Sequence, residues 1–163
     1  MCYRKKVPGV KTHLLRTSMT LPVKREEVFS FFANASNLER ITPPELCFQI
    51  LTPEPVPITE STLILYRLRL FGIPFGWKTM ITVWDPPHQF VDQQISGPYK
   101  LWVHTHRFEE DKASTVIIDT VEYQLPLWPV GEIAYPFVYF QLKRIFSYRQ
   151  QMVRKILLAL HKG

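Results

Sequence analysis

The stretch LWVHTHRFEEDKASTVIIDTVEYQLP, from Leu101 to Pro126, decides the fold of this chain. Within it, Leu101–Phe108 and Thr115–Leu125 mostly alternate apolar and polar residues, a period of two that predicts two β-strands. The polar turn Glu110–Lys112 lies between them. A link this short joins antiparallel neighbours, because a parallel pair needs a crossover of about a dozen residues or more. The stretch therefore predicts a β-hairpin.

The same period of two extends through the middle of the chain. Further strand candidates are Leu46–Leu51, Leu63–Leu70, Phe75–Trp84 and Gln89–Ile95, with another over Thr12–Leu21. The short links between them carry proline, glycine and aspartate, which are typical turn residues. This pattern predicts an antiparallel meander of about seven strands.

Helical spacing precedes the strand-rich region. The run Val28–Phe32 has apolar residues three and four positions apart, which predicts a short helix. A second short helix is predicted over SNLERITPP, Ser36–Pro44. Ser36 and Glu39 have the spacing of a capping box, and the two prolines end the helix because they cannot donate a backbone hydrogen bond.

A long amphipathic helix is predicted at the end of the chain. From Phe137 to Leu160 apolar residues recur every three or four positions, over roughly 36 Å at 1.5 Å per residue. Pro136 either starts its regular part or kinks it. Arg149 is the one charged member of the apolar stripe. Two short helices after the first strand, a meander and one long helix predict a single α+β domain.

The composition fits one globular domain of 163 residues, 46% of them apolar,. We predict a flexible tail over residues 1–10 and one domain over residues 11–163. The first residues contain no apolar leader, and no apolar run approaches the roughly 20 residues of a spanning helix. Cys2 and Cys47 suggest no disulfide framework, so we expect a cytoplasmic protein.

The net charge of +6 is concentrated towards both ends of the chain. No zinc-finger spacing, ribonucleoprotein motif or KH loop accompanies it, so no nucleic-acid partner is expected. Weak contact with an anionic membrane surface is the alternative use of the basic C-terminal helix. The pattern leaves the oligomeric state open.

Trp102, His104 and His106 alternate along one predicted strand, so their side chains would project from the same face. Two histidines need a third ligand to hold zinc. We place Asp92 on the opposite face, and the register of Asp119 is open, so no metal and no cofactor are expected. A histidine oriented by Asp119 could instead act as a general base or acid.

Other common catalytic classes lack their motifs. The sequence has no nucleophile elbow, P-loop or dinucleotide fingerprint,. The many aromatic residues predict either a filled core or a small-molecule pocket between a curved sheet and the long helix. Arg67 or Arg69, Gln93 and Asp119 could add polar groups to such a wall. The predicted ligand-binding residues are Trp77, Thr79, Phe90, Trp102, His104, His106, Phe108 and Tyr123.

Four motifs resemble the START-like superfamily, also called SRPBCC. They are W-x-T-x-I-x-x-W-D-P-P at Trp77–Pro87, F-x-D-x-Q-x-x-G-P-Y at Phe90–Tyr99, W-x-H-x-H-x-F at Trp102–Phe108, and D-x-V-x-Y-x-L-P at Asp119–Pro126. The chain is similar to ligand-binding bacterial members of that superfamily over about residues 12–155. The superfamily also includes the birch-pollen-allergen-like proteins and the polyketide cyclases and dehydrases.

The resemblance implies a helix-grip fold, in which a curved antiparallel sheet wraps around the long C-terminal helix. It implies binding of a small hydrophobic molecule, such as a lipid, a polyketide or a quinone-like compound, in the cavity between them. A cyclase or dehydratase with a histidine proton shuttle is the alternative; the candidates are His104, His106 and Asp119. The chain departs from the family by having Lys112–Thr115 where a glycine turn is usual, which leaves the register of Asp119 open.

Overall fold

The computed structural model describes residues 6–53, 55–56, 58–70 and 72–160. Seven strands form one sheet in the order β1-β7-β6-β5-β4-β3-β2, and every neighbouring pair is antiparallel. The strands are β1 (His13–Leu21), β2 (Gln49–Ile50), β3 (Leu63–Leu70), β4 (Ile73–Asp85), β5 (Gln89–Ser96), β6 (Leu101–Asp111) and β7 (Ser114–Gln124). The helices are α1 (Arg25–Phe32), α2 (Ser36–Arg40) and α3 (Tyr135–Leu160). The predicted α+β helix-grip architecture is confirmed.

Alternation along the strands decides which side chains face inward. In β3, Tyr66 and Leu68 are buried while Arg67 and Arg69 are exposed. The suggestion that either arginine lies in a pocket wall was therefore wrong. In β6, His104 and His106 are both buried on the inner face; the period of two predicted that they share a face but not which one.

α3 packs along the inner face of the sheet and contacts two apolar clusters. Its N-terminal half joins what we call the tryptophan cluster, which contains Trp77, Trp102, Leu142 and Phe146. Its C-terminal half joins the phenylalanine cluster. The buried members of that second cluster include Phe29, Phe90, Phe108, Val153 and Leu157. Pro136 starts the regular helix rather than kinking it.

Local boundaries differ from prediction in two places. Ser36 is the first residue of α2 rather than its cap, and no side-chain capping bond forms; Glu39 instead accepts a hydrogen bond from the backbone N–H of Ile50. The strand predicted over Leu46–Leu51 shortens to β2, because the chain makes a 3-10 turn and Cys47 then takes a left-handed conformation (φ 45°).

The predicted tail lies partly outside the described residues, since residues 1–5 are not among them. The backbone of Val7 donates to and accepts from the side-chain amide of Gln124, and the carbonyl of Val10 accepts from it. The domain boundary at residue 11 stays a prediction. Among the described residues, no helix combines the length and apolar character needed to cross a bilayer.

Candidate functional site

A cavity of about 160 Å³ lies between the inner face of the sheet, α1, α2 and α3. Its wall is mainly aromatic and aliphatic, with contributions from Tyr66, Trp77, Trp102 and Phe146. Most small-molecule sites are larger, at roughly 300–1,000 Å³. The cavity therefore suits a small ligand, or one that displaces a wall side chain.

A polar layer crosses the domain between the two apolar clusters. It consists of Asp92 on β5, His104 and His106 on β6, Asp119 on β7 and Arg149 on α3. In sheet register, Asp92 lies opposite His104 and Asp119 lies opposite His106. All four sheet residues consequently share one face, so the expectation that Asp92 points to the other face was wrong.

Hydrogen bonds tie the two histidines to the two carboxylates. His104 Nε2 donates to Asp119 Oδ1 at 2.9 Å, and His106 Nε2 donates to Asp92 Oδ2 at 3.0 Å. His106 Nδ1 also lies 2.9 Å from Asp119 Oδ1, but this contact lacks hydrogen-bond geometry and is electrostatic. The imidazole rings of His104 and His106 are tilted by 39° relative to each other, with centroids 3.7 Å apart.

The network separates the protonation behaviour of the two rings. Burial opposes the charged form of His106, but contacts with Asp119 and Asp92 outweigh it and raise its pKa. Burial, together with the neighbouring His106, lowers the pKa of His104. Burial alone would raise the pKa of Asp119, yet its hydrogen bond to His104 and its close contact with His106 hold that pKa well below its usual range. One proton therefore resides mainly on His106.

Two N–H donors of the cavity wall are left without partners. The indole Nε1 of Trp77 and the guanidinium Nε of Arg149 are both buried and make no hydrogen bond within the described chain. Nearby, the hydroxyls of Tyr66 and Thr79 satisfy each other at 3.1 Å. The cavity thus presents free donors next to a mostly apolar wall.

The three residues Asp92, His104 and His106 offer ligand atoms within 4.8 Å of one another, a spacing that a metal ion could bridge. Histidine–carboxylate hydrogen bonds account for the short contacts among them. Burial alone would raise the pKa of Asp92, but the two histidines and, to a smaller extent, the positive charge of Arg149 lower it. The same positive charge would oppose a metal cation at this position. We assign no metal to these residues.

The structure brings six of the eight predicted ligand-binding residues to the cavity wall. They are Trp77, Thr79, Phe90, Trp102, His104 and His106. Phe108 packs in the phenylalanine cluster and Tyr123 in the tryptophan cluster, so both lie behind the wall. Asp119, predicted as an orienting partner, is buried against both histidines but does not line the cavity.

Several polar wall residues escaped prediction as site residues, and Asp92 and Arg149 are the charged ones among them. Arg149 had a visible signal, because it interrupts an apolar stripe whose other members pack against the sheet. Asp92 had none, because its face depends on the length of the β5–β6 turn. A one-residue change of register moves every side chain of a strand to the other face.

Solved structures of other proteins share the fold of this chain over most of its length. A norcoclaurine synthase point mutant from Thalictrum flavum aligns with a TM-score of 0.71 and 16% identity, covering 95% of this chain and 99% of that one. A START superfamily protein from Mycobacterium smegmatis aligns with a TM-score of 0.68 and 12% identity, covering 91% and 99%. Ginseng major latex-like protein 151 from Panax ginseng aligns with a TM-score of 0.62 and 10% identity, covering 88% of this chain and 96% of that one.

These identities are low, so the likeness shows the fold alone. No protein-family model and no curated protein matches this sequence. The fold predicted from the START-like resemblance is thereby confirmed, and the ligand and any reaction have to be argued from the site itself.

Proposed function

We propose that this chain binds a small, largely apolar molecule in the cavity between its sheet and α3. One observation carries the proposal: an aromatic and aliphatic cavity remains between the two apolar clusters, with a few polar groups converging on it. Such a combination of apolar walls and sparse, positioned polar groups is typical of small-molecule sites. Lipids, polyketides and quinone-like compounds are the classes we propose.

The six wall residues Trp77, Thr79, Phe90, Trp102, His104 and His106 are proposed to contact this molecule. Support comes from their shared inner face and from their position in the wall. Neighbouring folds are compatible with such a role, since the Thalictrum synthase has been solved in complex with dopamine and hydroxybenzaldehyde.

Two measurements test binding. First, protein purified from its native host is denatured and the released small molecules are identified by mass spectrometry. Second, the neutral fluorophore N-phenyl-1-naphthylamine is titrated into the wild type and into Leu68→Trp, which fills the cavity from β3. The matched control is Leu14→Trp, because Leu14 is 59% exposed.

Binding predicts a fluorescence rise in the wild type and in Leu14→Trp that is lost in Leu68→Trp. If the Leu68 variant loses its native circular dichroism, Ile145→Trp fills the same cavity from α3. Fluorescence that is unchanged by both cavity-filling variants would contradict the proposal, because the probe would then be bound elsewhere.

A second candidate is proton transfer on the bound molecule, of the cyclase or dehydratase kind. The histidine–carboxylate network favours it, because His106 lines the cavity and lies between Asp92 and Asp119. The released molecule would be incubated with the protein in heavy water and its deuterium content followed. Catalysis predicts exchange that His106→Gln abolishes while the molecule still binds; an equal exchange rate in both proteins would remove this candidate.

We also propose a cytoplasmic location and weak contact with an anionic membrane surface. The observation behind the contact is an exposed apolar patch formed by Leu127, Trp128, Val130, Ile133, Phe137 and Phe140. α3, which contributes the last two, carries five basic residues and no acidic one. Apolar side chains beside basic ones are typical of surfaces that lie on lipid headgroups.

A further inference from the structure

We infer that the molecule held in this cavity carries an oxyanion, such as a carboxylate, that pairs with Arg149. This inference rests on the proposed binding function and names the chemistry of the ligand's polar end. It has two grounds. The cavity wall contains N–H donors without hydrogen-bond partners, and the neighbouring carboxylates of Asp92 and Asp119 are already hydrogen-bonded to histidines.

Arg149 occupies a position where an apolar residue would be expected. It lies on α3 between Phe146 and Val153, which belong to the two apolar clusters, and its side chain lines the cavity. The guanidinium packs over the Phe146 ring at 5.5 Å. Arg149 is half-buried, but its Nε is fully buried, and a buried polar group without a partner is costly.

No carboxylate within the described part of the chain forms an ion pair with Arg149, and its buried Nε has no acceptor. The two buried acids of the polar layer are already hydrogen-bonded to histidines, Asp92 to His106 and Asp119 to His104. Arg149 attracts Asp92 through space. That attraction balances charge but supplies no acceptor atom to a guanidinium that has five N–H groups.

The second free donor belongs to the same part of the wall. Trp77 Nε1 is buried without a partner, and the Trp77 ring stacks on Tyr66 at 5.8 Å. Tyr66, Trp77 and Arg149 all line this cavity. Burial chiefly raises the pKa of Tyr66, and the positive charge of Arg149 acts against that rise.

An oxyanion has several acceptor oxygens, and charge-assisted hydrogen bonds from arginine to carboxylates are among the strong ones. One such group can accept from Arg149 and from Trp77 while the rest of the molecule contacts the tryptophan cluster. A neutral hydrocarbon would leave both buried N–H groups without an acceptor, which costs free energy.

The test compares two fluorophores that differ only in an anionic group. 8-Anilino-1-naphthalenesulfonate and N-phenyl-1-naphthylamine share one aromatic body, and only the first carries a sulfonate. Both are titrated into the wild type, Arg149→Met and Arg16→Met. Arg16 is exposed on β1, so its substitution removes the same charge away from the cavity.

We expect Arg149→Met to weaken sulfonate binding by about tenfold or more, the scale of one lost charge-assisted hydrogen bond. Binding of the neutral fluorophore should change less than about twofold, and Arg16→Met should leave both unchanged. Trp77→Phe keeps an aromatic side chain and removes the N–H, and it should also weaken binding of the sulfonate more than binding of the neutral fluorophore. It serves as the second variant if Arg149→Met does not fold.

Three results would overturn the inference. If both fluorophores bind the wild type and neither substitution separates them, the cavity binds apolar molecules without an oxyanion preference, and the proposed function stands. Equal weakening of both fluorophores would make Arg149 a packing residue only. If neither fluorophore enters the cavity, as judged with Leu68→Trp, the proposed function fails and this inference fails with it.

Discussion

His106 is the residue whose charge the fold controls most directly. It contacts the carboxylates of Asp92 and Asp119 from within the core, and its pKa is raised although burial alone would lower it. Between the ordinary histidine pKa of about 6.5 and this raised value, the folded chain holds a proton that the unfolded chain has released. We predict that the free energy of unfolding falls as pH rises through this window.

Urea titrations at a series of pH values check this prediction. The stabilisation from His106 should be complete below about pH 6.5 and lost above the raised pKa, so the wild type should lose stability relative to His106→Gln across that range. His104 should contribute with the opposite sign, because its pKa is lowered and its stabilisation is lost on the acid side. Parallel curves for wild type and His106→Gln would contradict the assignment.

Asp119 connects the two histidines, so its substitution should be costly for folding. Replacing Asp119 with asparagine removes the buried negative charge that stabilises the proton shared by His104 and His106. Removing one partner of a buried ion pair typically costs about 3 kcal/mol. We predict a loss of about that size in the free energy of unfolding for Asp119→Asn. Asp111→Asn, at the exposed end of β6, should change it by less than about 0.5 kcal/mol; similar effects of the two changes would argue against a structural role for the network.

Sequence could predict the histidine face but not the carboxylate partner across the hairpin. Alternation alone places His104 and His106 together. The face of the sheet on which the Asp92 side chain lies depends on the turn between β5 and β6. At this turn the Gln94 side chain donates a hydrogen bond to the Tyr99 carbonyl at 2.7 Å. The geometry of that turn is local and side-chain dependent, so it cannot be read from periodicity.

At the scale of elements, α3 contributes stability through its buried stripe. Leu157 is 1% exposed in the phenylalanine cluster, while Leu160, one turn further on, is 67% exposed. We predict that Leu157→Ala lowers the free energy of unfolding by about 2–4 kcal/mol, through lost burial and a residual cavity. Leu160→Ala is the matched control and should cost less than about 0.5 kcal/mol. Chemical denaturation of both variants measures the difference, and a small effect of Leu157→Ala would mean that α3 is weakly docked.

Elements with long, clean periodicity were predictable, and those shaped by local competition were not. The strand predicted over Leu63–Leu70 has the same bounds as β3. Ser36 is the first residue of α2 rather than its cap, and Glu39 accepts a hydrogen bond from Ile50 in β2. At the β6–β7 turn, Lys112 takes a left-handed φ of 56°. The register of this hairpin, which the sequence left open, aligns Asp119 with His106.

At the scale of the whole molecule, the polar and apolar parts are arranged in layers. The polar layer separates the tryptophan cluster from the phenylalanine cluster, and Arg149 places a charge of α3 within it. The exposed apolar patch lies outside both clusters: Ile133, Phe137 and Phe140 are 82%, 60% and 68% exposed. Phe137, Phe140 and Arg144 are spaced three and four residues apart along α3, so they share one helix face, and Ile133 lies in the 3-10 turn just before that helix,.

This arrangement makes the patch the expected contact with a lipid surface. We predict that the protein cosediments with vesicles containing phosphatidylglycerol, and less with vesicles of phosphatidylcholine alone, because basic side chains on α3 are attracted to anionic headgroups. Added salt should weaken the binding, since exposed charges are screened within roughly 8 Å at physiological ionic strength.

The double variant Phe137→Ser/Phe140→Ser should reduce vesicle binding by about tenfold, because it removes apolar area that would enter the interface. The control is Leu14→Ser/Ile73→Ser, which removes apolar residues that are 59% and 57% exposed on the sheet. Equal binding by both double variants would exclude the patch as the contact. Loss of binding in the first variant alone, together with the salt effect, would establish that the end of the molecule near the start of α3 meets the membrane.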